Sequence, residues 1–195
     1  MSKYLVLLTM FLSTILYAKN IVYDFNTTSL SHWHTYGSWK ITQDKDQNIL
    51  SMMKRSKGSY NLCYNTDVDF LDGVISVDFK ANSGEIDQGG GLMWRVQDED
   101  NYYVARFNPL EDNFRYYIVH HGWRSEIASA RVHLSVGWHT MKVIQKGTNF
   151  TAYIDGVKYF DLEDEHLQQE GAVGVWSKAD AHTSFDNLNI VLHKR

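Results

Sequence analysis

The segment VISVDFKA, residues 74–81, alternates apolar and polar side chains at nearly every position. One side of an extended chain here would carry Ile75, Val77 and Phe79, and the polar residues would fall on the other side. Because successive side chains of a β-strand point to opposite faces, this pattern predicts a half-buried strand.

Strand-like runs of this kind recur along most of the chain, at residues 21–25, 49–53, 91–96, 102–107, 114–119, 138–144, 150–154, 172–176 and 185–192. Asp155 and Gly156 lie between two such runs, and this pair suits the type I′ hairpin, whose central residues both need a positive φ. Residues 163–169 predict one helical turn with His166 and Leu167 facing inward. Ten or more short strands predict an all-β fold, a sandwich of two packed antiparallel sheets.

The N-terminal residues predict export. Lys3 precedes an uncharged apolar run over residues 4–16, and the small residue Ala18 follows. This arrangement is typical of a secretory signal peptide, and the run is shorter than the roughly 20 apolar residues that span a bilayer. We therefore expect a signal peptide at residues 1–18, a single domain at residues 19–195, no membrane anchor, and a periplasmic or secreted location.

Composition narrows the class of protein. The chain has one cysteine, Cys63, so no internal disulfide can form and stability must come from a core. A content of 44% hydrophobic and 14% aromatic residues supports such a core. The net charge of −4 argues against a nucleic-acid partner, since binding phosphates requires a basic surface.

Several blocks of sequence carry a family resemblance. They are GGGLMWR (residues 89–95), DNYYVARF (100–107), WHTMKV (138–143), YIDGVKYF (153–160) and GAVGVWSKADAHTSFDNL (171–188). Over residues 21–192 the chain resembles secreted bacterial proteins described as 3-keto-disaccharide hydrolases or as laminin G-like. The resemblance implies a concanavalin A-like jelly-roll β-sandwich.

The alternation also predicts a ligand-binding face. If Trp94 is buried, Arg95 lies on a solvated face, and the next strand places Tyr102 and Arg106 together on one face. Aromatic rings and guanidinium groups suit a concave groove for a saccharide, because the rings stack on sugar C–H faces while guanidinium groups donate hydrogen bonds. The predicted ligand-binding residues are Arg95, Tyr102, Arg106, Tyr116, His120, Trp123 and Lys178, and the stretch YYIVHHGWR adds His121 and Arg124. Lys178 and Asp180 are expected to form an ion pair at the rim.

No catalytic pair of carboxylates can be assigned. Glu85 and Asp87 begin a motif of laminarinase-type glucanases, but a glycine replaces the final glutamate and the segment predicts a loop, so we reject that mechanism. Glu126 and Asp180 remain candidates for catalysis. Cys63 has no adjacent histidine signature and is expected to be a core thiol.

A structural calcium ion is the one cofactor that the sequence suggests. Asp24 lies near the end of the first predicted strand and Asp186 near the start of the last, and these two strands are expected to pair, so that the two aspartates share a rim. Calcium needs six to eight oxygen ligands, of which two aspartates supply only some. Zinc is disfavoured, because adjacent His120 and His121 point to opposite faces. The pair formed by His32 and His34 is left as an alternative metal site.

Three functions remain open. The favoured hypothesis is an exported carbohydrate-binding module that recognises a saccharide on an aromatic and arginine-lined concave sheet. The family resemblance supports a glycoside hydrolase or lyase-like enzyme acting on (3-keto-)disaccharides. An adhesive or structural interaction domain shares the same fold.

Overall fold

The computed structural model of the protein describes residues 19–53 and 60–193. The predicted signal peptide lies outside these residues. Across the two described ranges, we find no helix that is long and apolar enough to cross a membrane. Apart from one short 3₁₀ helix (Leu30–His32), their regular structure consists of β-strands.

The first sheet has eight strands, β1 (Lys19–Tyr23), β3 (Trp39–Asp44), β4 (Gln47–Met52), β6 (Gly73–Ser83), β11 (His139–Lys146), β12 (Asn149–Ile154), β13 (Val157–Glu163) and β15 (His182–Leu192). Their order across the sheet is β13-β12-β11-β6-β15-β4-β3, with β1 also paired to β15. The alternating segment at residues 74–81 lies in β6, at the middle of this sheet.

The second sheet has seven strands, β2 (Trp33–Tyr36), β5 (Tyr60–Phe70), β7 (Gly90–Asp98), β8 (Asn101–Asn108), β9 (Asn113–His120), β10 (Trp123–Arg131) and β14 (Gly171–Lys178). Their order is β10-β9-β8-β7-β14-β5-β2. All the pairs in both sheets are antiparallel, so the predicted all-β jelly-roll sandwich of two antiparallel sheets is confirmed.

The main core lies between the two sheets and is rich in stacked aromatic rings. The centroid of Phe150 lies 5.3 Å from that of Trp94 and 4.1 Å from that of Tyr116. Tyr116 is 1% exposed, and it shares its side of β9 with buried Phe114 and Ile118. The prediction that Tyr116 binds ligand is therefore wrong, because strand alternation directs this ring into the core.

Two local predictions differ in outcome. Asp155 and Gly156 join β12 to β13, and both have a positive φ, as the predicted hairpin requires. Residues 164–170 form an irregular loop instead of a helical turn. In that loop Leu167 is buried, as predicted, whereas His166 is exposed.

Candidate functional site

The outward face of the seven-stranded sheet is strongly concave. Arg124 lies on the edge strand β10 and Trp176 lies on β14, with three strands between them. At about 4.8 Å per strand, a flat sheet would separate their strands by roughly 19 Å. The guanidinium carbon of Arg124 nevertheless lies 5.9 Å from the centre of the Trp176 ring. This contact requires the sheet to curl around the space above its outward face.

The floor of the concave face is a second apolar cluster. It consists of residues that alternate with the core residues along the same strands, namely Leu62, Tyr64, Met93, Val96, Tyr102, Val104, Tyr117, Val119, Ala172 and Trp176. Tyr102 lies on the predicted face but is 0% exposed, and its hydroxyl accepts a hydrogen bond from Trp176 Nε1 at 3.3 Å. The prediction that Tyr102 contacts ligand is corrected: its burial makes it part of the floor.

Arg124 lies above this floor and has no carboxylate partner among residues 19–53 and 60–193. Its guanidinium carbon is 4.4 Å from the centre of the Tyr117 ring and 5.5 Å from that of Tyr60. Its Nη1 atom is buried and donates no hydrogen bond. A stacked cation with an unused buried donor is poised to bind an acceptor atom of a ligand.

Arg106 occupies the concave face, as predicted, but its guanidinium already has two partners. Its Nη2 lies 2.7 Å from Asp87 Oδ2, and its Nη1 lies 3.1 Å from Glu111 Oε2. The side chain is only 2% exposed. The prediction that Arg106 lines the groove is corrected, because these ion pairs hold both Nη atoms beneath the surface; its Nε is also buried and has no hydrogen-bond partner among the described residues.

Asp87 is, like Arg115 and Tyr117, a site residue that the sequence did not predict. Its loop turns back over the sheet end, so the carboxylate of a rejected glucanase motif becomes the buried partner of Arg106. Gly89 makes the approach feasible, since a Cβ there would lie 2.6 Å from Arg106 Nε. The glycine run before β7 was a signal of this close approach.

Asp180 holds the same loop in place. Its carboxylate accepts hydrogen bonds from the backbone N–H groups of Glu85, Ile86 and Asp87, at 2.8, 3.0 and 3.0 Å. Burial alone would raise the pKa of Asp180, but these hydrogen bonds lower it. The prediction that Asp180 is catalytic is therefore corrected, because its carboxylate anchors this loop. The predicted ion pair between Asp180 and Lys178 does not form in the described residues.

Glu126 and Arg115 complete the charged side of the concave face. Arg115 Nε lies 3.1 Å from Glu126 Oε2, and Arg115 Nη1 lies 3.5 Å from Glu111 Oε2. Burial acts to raise the pKa of Glu111, but a hydrogen bond from Asn113 and the charge of Arg106 lower it. Both carboxylates are partly exposed and can accept hydrogen bonds from a ligand while Arg115 fixes their positions. Glu126 stays a catalytic candidate on geometry alone.

Lys178 lies among these groups, as the sequence predicted for a site residue. Burial lowers its pKa, and the charges of Arg124 and Arg106 lower it further against the opposing effect of Asp87 and Glu111. Within the described part of the chain, Lys178 forms no ion pair. The concave face therefore offers two cations without carboxylate partners, Arg124 and Lys178, beside two partly exposed carboxylates.

Over residues 21–191 the chain matches the family described as the 3-keto-alpha-glucoside-1,2-lyase-like domain. The chain belongs to this family. The match covers both sheets and agrees with the resemblance seen in the sequence.

Solved structures with the same fold include sugar-binding and sugar-cleaving proteins. Carbohydrate binding module CBM66 from Bacillus subtilis is 24% identical, with a TM-score of 0.69 over 82% of this chain and 95% of that one. A GH16 protein of the Bacteroides ovatus mixed linkage glucan PUL is 12% identical, with a TM-score of 0.68 over 88% and 99%. The Bacillus licheniformis beta-glucanase is 10% identical, with a TM-score of 0.65 over 90% and 98%. At these identities the likeness shows the fold alone, and a search of curated proteins finds no significant match.

Arg95 does not lie on the concave face. It has a positive φ of 49° where the pairing of β7 with β8 breaks, so strand alternation fails at this residue. Its guanidinium donates to the carbonyl oxygens of Leu71, Gly147 and Leu167 at 3.0, 2.7 and 2.6 Å, and the residue is 1% exposed. The predicted ligand role of Arg95 is therefore wrong, because three loops seal it at one end of the sandwich.

His120 and Trp123 also lie away from the concave face. They pair across β9 and β10 on the side opposite to Arg124. His120 lines a cavity of about 400 Å³ with Gln97, Asn101 and the loop at 165–169, and Trp123 is 81% exposed. The structure does not bring these two residues together with Arg106, so they do not share one site with it.

The two aspartates predicted to bind calcium do lie near each other, because β1 pairs with β15. Burial raises the pKa of Asp186, and the charges of Asp78 and Asp24 add to this effect. No group of three or more His, Cys, Asp or Glu side chains is arranged for a metal ion in residues 19–53 and 60–193. The calcium ion thus stays a prediction with two of its ligands in proximity. The His32 and His34 alternative gains no third ligand either, and His34 stacks on Tyr64.

Proposed function

We propose that the concave face of the seven-stranded sheet binds a saccharide through Arg124, Lys178, Glu111 and Glu126. The observation that carries this proposal is the Arg124 guanidinium, which lies over the Tyr117 ring with a buried donor that has neither a hydrogen-bond partner nor a counterion in the described part of the chain. A bound acceptor atom would remove the cost of leaving that donor unpaired.

The mixture of charges favours a sugar over other ligands. A hydroxyl group both donates and accepts hydrogen bonds. Arg124 and Lys178 supply donors to its oxygen, whereas Glu111 and Glu126 accept from its hydrogen. A nucleic acid would meet two repelling carboxylates in this groove, so its phosphates suit the face poorly.

Calorimetric titration with methyl α-D-glucoside and with its 3-keto derivative tests this proposal. We expect Arg124→Ala to weaken binding of at least one of these sugars by roughly tenfold or more, because a charge-assisted hydrogen bond is lost. Lys142→Ala is the matched control, since Lys142 also lies over a tyrosine ring, at 4.3 Å, but on the other sheet. Equal affinities for the wild type and Arg124→Ala would contradict the site.

A second candidate function is a lyase, and the environment of Lys178 favours it. In a 3-keto-α-glucoside, the C2 hydrogen lies next to the carbonyl group and is acidic. A base removes this proton, the electron pair forms a C1=C2 double bond, and the C1–O bond breaks, leaving its pair on the departing oxygen, which takes up a proton. Lys178 can act as the base, because burial and the nearby arginines lower its pKa. Arg124 can stabilise the negative charge that develops on the carbonyl oxygen.

The lyase proposal is tested by following the ultraviolet absorbance of the enone product from the 3-keto sugar. Lys178→Met should abolish its formation, while Arg124, Glu111 and Glu126 should still bind methyl α-D-glucoside with reduced affinity. Lys178→Arg keeps the charge but cannot act as a base near neutral pH, so it should fail as well. An unchanged rate of enone formation in either variant would exclude Lys178 as the base, but it would not contradict the proposal that this face binds a saccharide.

Export is part of the proposal, because the signal peptide predicted at residues 1–18 would place the sandwich in the periplasm or outside the cell. N-terminal sequencing of the protein purified from its native cells should begin at Lys19. A mature chain that still begins at Met1 would contradict export by this route.

A further inference from the structure

A second groove lies on the outward face of the eight-stranded sheet, far from the concave site. Two adjoining cavities of about 320 and 290 Å³ share Asp44 and Ile49 as lining residues. Each volume lies near the lower end of the range for small-molecule sites. Together they form one groove that crosses β3, β4, β15 and β6.

One end of the groove is formed by a fixed aromatic ring. Trp138 is 38% exposed, and its Nε1 donates to Asp44 Oδ2 at 3.1 Å. Lys80 lies 3.1 Å from the same oxygen and 5.8 Å from the centre of the indole ring. The ring is therefore held in one orientation, and the charges of Asp44 and Lys80 cancel beside it.

The remainder of the groove floor is a row of linked hydroxyl and amide groups. Ser51 Oγ lies 2.8 Å from Thr42 Oγ1 and 2.9 Å from Ser184 Oγ, and Asn82 Nδ2 donates to Ser184 Oγ at 2.8 Å. Ser51 and Ser184 are buried, at 1% and 3% exposure. His182 lies at the same end, and burial followed by the charge of Lys80 lowers its pKa, so the ring is uncharged at neutral pH.

We infer that this groove binds a neutral oligosaccharide, with one sugar ring on Trp138 and the next on the partly exposed Thr42 and Asn82, which buried Ser51 and Ser184 hold in place. An exposed indole face stacks on the C–H face of a pyranose, and uncharged hydroxyl and amide groups match sugar hydroxyls. The cancelled charge beside the ring disfavours a charged ligand. This inference does not depend on the concave site, which lies on the other sheet.

The test follows the Trp138 indole N–H resonance by ¹H–¹⁵N NMR during titration with cellotetraose and, separately, maltotetraose. We expect one of these neutral probes to shift the resonance, and Arg124→Ala to leave that shift and its dissociation constant unchanged. Trp138→Ala should weaken binding of the same probe by roughly tenfold, measured by calorimetry in an Arg124→Ala background. Trp123→Ala is the matched control for removing an exposed tryptophan, and it should have no effect.

Asn82→Leu serves as a second variant, because it interrupts the polar row and leaves Trp138 intact. It should also weaken binding of the probe by several-fold, and an unchanged circular dichroism spectrum would show that the variant still folds. Absence of an indole shift with both probes would overturn the inference, as would binding that disappears with Arg124→Ala but survives Trp138→Ala and Asn82→Leu. Loss of the concave site alone would leave the groove intact, so the two outcomes are distinguishable.

Discussion

Charged side chains in this sandwich divide into those that several protein groups hold in place and those that are left for the proposed ligand. Arg124 has an aromatic platform and no counterion, whereas Arg95, Arg106 and Asp180 have their hydrogen-bonding groups largely occupied by the protein itself. Burial of a charge is costly unless partners replace water. The number of protein partners, and not the residue type, therefore separates the two roles.

At the residue scale, Asp180→Asn should destabilise the protein and flatten its pH dependence. An asparagine keeps one oxygen acceptor but turns an N–H₂ group towards the N–H of Glu85 or towards those of Ile86 and Asp87, at a cost of about 1–3 kcal/mol. The folded-state pKa of Asp180 is lowered from 3.8, so its contribution to stability is present above that value and is lost as the pH falls through the folded pKa.

Chemical denaturation of the wild type and Asp180→Asn between pH 2 and pH 7 measures both effects. The stability difference should be largest at neutral pH and should shrink as the wild-type carboxylate becomes protonated. A constant difference over this whole range would show that the hydrogen bonds to Asp180 do not depend on its ionisation.

At the element scale, the guanidinium of Arg95 holds together three connections between strands. Arg95 of β7 donates to the turns that carry Leu71 and Gly147 and to the loop that carries Leu167. Each carbonyl that loses a buried partner pays a desolvation cost. The loop at 164–170, where a helical turn was predicted, is held in part by this residue.

Arg95→Met should therefore lower the free energy of unfolding by about 3 kcal/mol or more, because several buried carbonyl groups lose their donor at once. Arg131→Met is the control, since Arg131 is exposed and such substitutions usually change stability by less than about 0.5 kcal/mol. Urea denaturation of both variants gives the comparison. If Arg95→Met were as stable as the control, the loops would be held by other contacts.

At the scale of the whole molecule, β1 and β15 bring the two ends of the described chain together, and with them Asp24 and Asp186. Asp186 carries a raised pKa in the folded state, which means that its ionised form costs stability above its unfolded value of 3.8. Asp186→Asn should remove that cost and raise the melting temperature at pH 7 by about 2–4 °C, the effect of about 1 kcal/mol.

Calcium provides a further measurement on the same variant. If the ion binds Asp24 and Asp186 as the sequence suggests, adding calcium should raise the melting temperature of the wild type and have less effect on Asp186→Asn. The stabilisation by Asp186→Asn itself should disappear near pH 3, where the wild-type carboxylate is protonated. A variant that melts below the wild type at pH 7 without calcium would contradict the repulsion argument.

The sequence by itself determined the sandwich, most of its strands and the hairpin at Asp155 and Gly156, because alternation and turn chemistry are local properties. It missed β2, β3 and β10 as well as β5, which is buried on both faces over much of its length and so shows no simple alternation. It also failed for Arg95, where a break in pairing rotates the chain.

Only the tertiary structure decided which polar residues meet. Curling of the second sheet carries Arg124 across to Trp176, and the loop fixed by Asp180 returns Asp87 to Arg106. Both contacts join residues far apart in sequence or separated by several strands. The period of a strand specifies which face a side chain occupies, but contacts across a face depend on sheet curvature and loop closure, which no local pattern encodes.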